Sequence, residues 1–195
     1  MPDQSRPNRV PWPGVALLLL SSVPSLLGGR RRRRPRVQGR ELNAYRRNLT
    51  ELTSMIDLEL VSLADLVDAL RRRDADPDAA LVDLQSSEEK LDRAAESLRG
   101  ILAPEELHGL HAEYEASLER AIRGIVTAER GCGITKLPYR PPDDEEPLIY
   151  WKRGHLNILH ARLRMAELVA TLLTWEPGMP AEATVAARLG RFREG

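Results

Sequence analysis

Residues 41 to 73 form a long run without Pro or Gly, in which apolar side chains are separated alternately by three and four positions. The polar residue Glu59 occupies one position of this row of apolar residues. A repeat near seven residues, held over about four heptads, is typical of a long helix that packs against other helices. The row consists of Leu42, Tyr45, Leu49, Leu52, Ile56, Leu63, Leu66 and Leu70.

Additional apolar residues make the stripe of this first helix wider than a contact with a single helix requires. A wide stripe predicts that the helix packs against several neighbours, as it would in a helical bundle. The additional residues are Met55, Leu58, Leu60, Val61 and Val67.

A second helix is predicted over residues 77 to 102. Asp76 is suited to cap its N-terminus, and Pro77 is suited to its first turn. Glu88 interrupts its apolar row. That row consists of Leu81, Leu84, Leu91, Ala95, Leu98 and Leu102.

A third helix is predicted from Pro104 to about Arg130, where Gly131-Cys132-Gly133 is expected to stop it. The connection that follows, residues 134 to 147, is too long for a tight helical hairpin. The apolar row of the third helix consists of Leu107, Leu110, Tyr114, Leu118, Ala121, Ile122 and Ile125.

A fourth helix is predicted over residues 148 to 175. It is rich in basic residues whereas the third helix is rich in Glu, so we expect these two helices to lie side by side. The predicted core stripe of the fourth helix consists of Ile149, Leu156, Leu159, Leu163, Ala166, Val169, Ala170 and Leu173.

These patterns predict an all-α fold, an antiparallel bundle of four main helices with coiled-coil-like seams, over residues 41 to 176. A chain of 195 residues is long enough for one domain with a sizeable core. Residues 1 to 40 are expected to be a disordered or targeting-like tail. Residues 177 to 195 form a second tail, in which Val185, Leu189 and Phe192 have the spacing of a short helix.

The N-terminal tail differs from the rest of the chain in charge. Residues 1 to 40 carry nine Arg and one Asp, a net charge of +8, and because the whole chain is neutral the remainder carries −8. An acidic bundle repels phosphate backbones, so we do not expect the bundle to bind nucleic acid.

The apolar run from Val15 to Leu27 has the length of a signal-peptide core, but the arginines that follow it oppose export. Three interpretations stay open: a poor signal peptide or membrane-surface anchor, a disordered basic arm, or a region that is not translated because initiation occurs near Val37. The first predicts a location at the membrane or in the cell envelope, and the last predicts a cytoplasmic protein. The candidate contacts to anionic lipid are Arg30, Arg31, Arg32, Arg33, Arg34 and Arg36.

The candidate chemistry is sparse. His108, His111 and Glu115 can share one face of the third helix and are the candidate metal ligands. Cys132, the single cysteine, lies between two glycines, where a flexible backbone would leave its thiol exposed. We find no catalytic motif and predict no cofactor.

The segment Pro104-Glu-Glu-Leu107, followed by Leu110, His111, Tyr114 and Leu118, resembles a helix of poorly characterised bacterial helical-bundle proteins, many of them exported or lipoprotein-like. The resemblance covers about 25 residues and implies an envelope-located, non-enzymatic bundle. The chain lacks the lipoprotein cysteine of such proteins.

From these observations we expect a non-enzymatic helical bundle that binds a protein partner, at the membrane surface if the N-terminal tail is present, and that is a monomer or weak dimer. The alternative is a metal- or cofactor-binding bundle with redox or hydrolytic activity.

Overall fold

The computed structural model describes residues 39–137 and 145–177. This part of the chain is helical and contains no strand, which confirms the predicted all-α bundle of four main helices. Both predicted tails lie almost entirely outside the described residues, so the short helix expected near the C-terminus stays a prediction. The helices are α1 (Gly39–Arg72), α2 (Pro77–Arg99), α3 (His108–Thr135) and α4 (Pro147–Thr174).

The helices form an antiparallel bundle in which α1 and α3 lie diagonally opposite each other, as do α2 and α4. Contacts at opposite ends of the pair formed by α1 and α4 show its direction. Arg46, near the start of α1, donates hydrogen bonds to the carbonyls of Leu172 and Trp175 at the end of α4. Farther along α1, the Ala64 carbonyl is 3.1 Å from Nδ1 of His155.

The α1 and α2 helices follow their predicted bounds closely, because their start and stop signals are local. Asp76 accepts a hydrogen bond from the backbone N–H of Ala79 at 3.3 Å, as expected of an N-cap, and Pro77 is the first residue of α2. Arg73, which ends α1, adopts a positive φ of 65°. Glu59, the polar residue in the α1 row, contacts Lys90 of α2 at 3.1 Å.

Parts of two predicted stripes do not lie in the core. Met55 and Leu58 of α1 are exposed, and so is Leu102, which lies beyond the end of α2. On α1 the core is completed by Leu60, Ala64 and Val67, which are buried.

The predicted end of α3 is wrong: the helix continues through Gly131 and Gly133 to Thr135. Gly131 serves packing rather than chain reversal. A Cβ atom at this position would lie 2.7 Å from Nε1 of Trp151 on α4, closer than van der Waals contact allows. A glycine is therefore needed here inside a helix, because an indole ring occupies the space of its side chain. A short 3₁₀ turn, Glu105–Leu107, precedes α3.

The prediction that the third and fourth helices are neighbours is confirmed, but small residues allow their contact. A Cβ atom on Gly154 would lie 2.7 Å from the carbonyl oxygen of Gly124 and 3.1 Å from Cβ of Ala128. The two backbones therefore approach directly. An ion pair between Glu113 and Arg164 links the helices at their exposed edge.

None of the described helices combines the length and the apolar character that crossing a membrane requires.

Candidate binding surface on α4

The α4 helix carries two apolar rows, and each has alternating gaps of three and four residues. We name them the inner row and the outer row. The inner row is buried and consists of Trp151, Gly154, Ile158, Ala161, Met165, Leu168, Leu172 and Trp175. The outer row consists of Ile149, Leu156, Leu159, Leu163, Ala166, Ala170 and Leu173, with Lys152 in its one polar slot.

The outer row is largely uncovered. Leu156, Leu163 and Leu173 are 52%, 63% and 55% exposed, and Ile149 and Ala166 are also exposed. This corrects the predicted core stripe of the fourth helix, most of which belongs to the outer row. A helix with two opposite apolar rows normally has both of them covered, because complete burial of a Leu side chain contributes about 1.5 to 3 kcal/mol.

Beside the outer row lies a groove of about 490 Å³ between α1 and α4. Its deepest residues, Ile56, Leu60 and Met165, are almost completely buried, whereas Leu163 and Leu173 at its edge are exposed. The outer row and the groove therefore form one continuous apolar surface.

Several polar groups of the groove already have partners. Arg162 donates from Nε to Oδ1 of Asp57 at 2.6 Å, and this hydrogen bond raises the pKa of the guanidinium further. The Thr53 hydroxyl lies 2.6 Å from the Leu49 carbonyl and 2.8 Å from the Tyr114 hydroxyl. A molecule bound here would be recognised chiefly through apolar contact, since few polar groups are left to pair with it.

Two opposite charges flank the outer row. Arg153 forms a bidentate ion pair with Glu145, at 2.6 and 3.0 Å, and Glu167 accepts a hydrogen bond from Arg164 at 3.0 Å. All four side chains are at least about one third exposed, so these pairs contribute little to stability and can exchange partners.

The structure does not bring the candidate metal ligands together. His108 Nε2 lies 3.0 Å from the carbonyl of Ala103, whereas His111 Nδ1 lies 3.1 Å from the Tyr45 hydroxyl. Glu115 is 3.8 Å from Nε2 of His111. Across residues 39–137 and 145–177, no group of three or more His, Cys, Asp or Glu side chains is arranged to hold a metal ion.

Cys132 is also not where the sequence suggests. It lies within α3 and is completely buried, and burial raises the pKa of its thiol. The expected exposed thiol between flexible glycines is therefore wrong, because both glycines are helical. A buried thiol with a raised pKa is a poor nucleophile. The arginines proposed to contact lipid lie outside the described residues.

The sequence pattern indicates the residues of the outer row, but their predicted place in the core is wrong, and the inner row was not predicted. Two signals identify the inner row in retrospect. Trp151 and Trp175 lie at its ends with the correct spacing, and the small residues Gly154 and Ala161 occur at heptad positions, which is typical of closely packed helices.

Comparison of the chain with protein-family models, with curated protein sequences and with solved structures gives no match.

Proposed function

We propose that this protein is a non-enzymatic interaction module, and that its outer row on α4 binds an amphipathic helix of a protein partner. The observation that carries this proposal is the exposure of Leu156, Leu163 and Leu173 on one face of a helix whose opposite face is fully packed. Because the three leucines are about half exposed, covering them would contribute roughly half of about 1.5 to 3 kcal/mol each, before the cost of association.

The geometry of the surface supports a helical partner. Apolar positions at gaps of three and four residues match the side-chain rows of another helix, which would lie along α4 with its apolar edge toward the groove. The groove is lined mainly by apolar side chains, and the pairs Arg162–Asp57 and Thr53–Tyr114 engage polar groups within it. An extended peptide would find no free strand edge here, since the described residues contain no strand.

Photo-crosslinking in the native host tests the proposal. Benzoylphenylalanine at Leu163 should form an adduct with a protein partner, and peptide mapping should place the adduct on the apolar face of a helix. The matched control is Val82, which is 65% exposed and lies on α2, diagonally opposite α4.

Adducts that form equally from positions 163 and 82, or from neither, would refute the proposal. The additional substitution Leu156→Glu should abolish the adduct from position 163, because it places a carboxylate in the apolar row.

A further inference from the structure

We infer that the partner of the outer row is α4 of a second copy of this chain, bound antiparallel about a two-fold axis, so that the protein is a homodimer. This inference rests on the proposed function, because it uses the same surface and specifies what covers it. It follows from the order of large and small residues along the outer row and from the positions of two charges beside it.

An antiparallel pair of α4 helices centred near Ala161 matches the outer row to itself. In that register Ile149 lies opposite Leu173 of the second copy, Leu156 opposite Ala166, and Leu159 opposite Leu163. In each layer, a residue that precedes a gap of three positions faces a residue that precedes a gap of four positions, as antiparallel helix packing requires. The small side chain of Ala166 leaves room for the large side chain of Leu156.

A parallel pair fits less well. It would place each residue opposite its own copy, so that the Lys152 ammonium groups would face each other and Ala166 and Ala170 would leave gaps. In the antiparallel pair Lys152 lies opposite Ala170, where its aliphatic stem covers the methyl group and its charge reaches solvent.

The flanking charges favour the same arrangement. Arg153 and Glu167 lie seven residues on either side of position 160 along the same helix. Antiparallel pairing therefore brings Arg153 of each copy beside Glu167 of the other, which gives two equivalent ion pairs across the axis. Such a contact is closed: each copy uses the same surface once, and no free surface is left for a third copy.

The C-terminal tail of the same chain is the competing occupant. Its segment from 181 to 193 offers three apolar residues at helical spacing, Val185, Leu189 and Phe192, against the seven of the outer row. A second α4 covers the complete row, from Ile149 to Leu173, whereas three residues cover less than half of it.

Sedimentation equilibrium of the full chain over a concentration series tests the inference. The wild type and Val82→Glu should form dimers of equal affinity. Leu163→Glu should raise the dissociation constant by about 100-fold or more, because each dimer would bury two carboxylates in an apolar seam. Circular dichroism should show that Leu163→Glu retains the helical content of the wild type, since Leu163 is exposed in the monomer.

Charge reversal tests the antiparallel register. Arg153→Glu and Glu167→Arg should each weaken the dimer, and the double variant should restore it, because both ion pairs reform with opposite signs. A double variant as weak as the single variants would overturn the register.

A short bis-maleimide supplies an independent measurement of the register. His160→Cys, near the axis, should give crosslinked dimers, and Lys152→Cys, far from it, should not. Crosslinking from both positions would indicate a parallel pair and would overturn the inference. Cys132 is buried, so it does not react in either case.

The failures of the two proposals are distinguishable. A wild type that stays monomeric, or association that Leu163→Glu leaves unchanged, overturns the homodimer. If photo-crosslinking from Leu163 then identifies a different protein, the proposed function still holds. A photo-adduct from position 163 to residues 181–193 of the same chain overturns both the homodimer and the proposed function.

Discussion

The side chains that join α1 to α3 across the centre of the bundle are polar. The Tyr45 hydroxyl lies 3.1 Å from His111 Nδ1, and the Thr53 hydroxyl lies 2.8 Å from the Tyr114 hydroxyl. Burial raises the pKa of Tyr45, and it raises the pKa of Tyr114 to about 12. Both phenols therefore stay neutral, and their hydrogen bonds fix the register of two helices that share few other contacts.

The first prediction concerns His111. Burial lowers the pKa of this imidazole below 6.5, although Glu115 opposes the shift. Because the unfolded chain then binds the proton more tightly than the folded protein, stability should fall as pH drops below 6.5 toward the lowered value. An NMR titration should place the pKa of His111 below 6.5. A pKa of His111 above 6.5 would contradict the burial argument.

The second prediction concerns Glu129, whose Oε1 is buried without a hydrogen-bond partner among the described residues. Burial, with a contribution from Glu88, raises the pKa of this carboxyl from 4.5 to about 7. The folded protein therefore holds the proton more tightly than the unfolded chain, and stability should decline as pH rises from 4.5 to 7.

Glu129→Gln should remove the loss of stability that ionisation of the buried carboxyl causes. Urea denaturation at pH 8 should show a gain of about 1 kcal/mol, an estimate reduced for the partial exposure of the side chain, and no gain at pH 4. The exposed Glu119→Gln serves as the control. Equal effects of the Glu129 substitution at both pH values would show that it acts through something other than ionisation.

At the scale of elements, the packing of α3 against α4 depends on which glycines face a neighbour. Gly131 faces the Trp151 indole, whereas the space beside Gly133, two residues later in the same helix, is open. The two positions share a backbone conformation and differ only in their surroundings, so they separate the effect of packing from the effect of helix propensity.

The third prediction uses this pair. Gly131→Ala should destabilise the fold by roughly 1 to 3 kcal/mol, because the methyl group would displace the indole ring. Gly133→Ala should stabilise it by about 0.5 to 1 kcal/mol, because alanine loses less backbone entropy in a helix. Thermal unfolding of the two variants measures both effects. Destabilisation by both substitutions would show that α3 ends near Gly131, and stabilisation by both would show that the indole does not occupy the space beside Gly131.

At the scale of the whole molecule, charge divides the chain into a basic N-terminal segment and an acidic remainder. Residues 1–38 lie outside the described residues, so their contact with a membrane stays a prediction from the sequence. We predict that the apolar run from Val15 to Leu27 and the arginines after it act together to anchor the chain to an anionic surface.

The fourth prediction tests this segment. The full chain should sediment with vesicles that contain anionic lipid and only weakly with neutral vesicles, since each Arg near an anionic surface contributes about 1 kcal/mol. Replacing the six arginines at 30–34 and 36 with Ser should abolish the difference between the two lipids. A replaced chain that binds anionic vesicles as well as the wild type would refute an electrostatic contribution. Deletion of residues 1–36 should release the chain from both the anionic and the neutral vesicles.

The sequence alone determined the number of helices, most of their bounds and the all-α class. These features depend on local information: apolar periodicity over 20 or more residues, the N-cap of Asp76 and the proline that follows it. The row of α1 was assigned to the core correctly: all of its apolar residues are buried except Leu66, which is partly buried.

Only the tertiary structure decided which row of α4 faces the core and where α3 ends. The two rows of α4 have the same spacing, and the buried one contains Gly154 and Ala161, which carry little hydrophobic signal but allow α3 to approach closely. Gly131 resembles a helix stop until Trp151 is placed against it. Both outcomes depend on the shape of a neighbouring helix, and a local pattern contains no information about that shape.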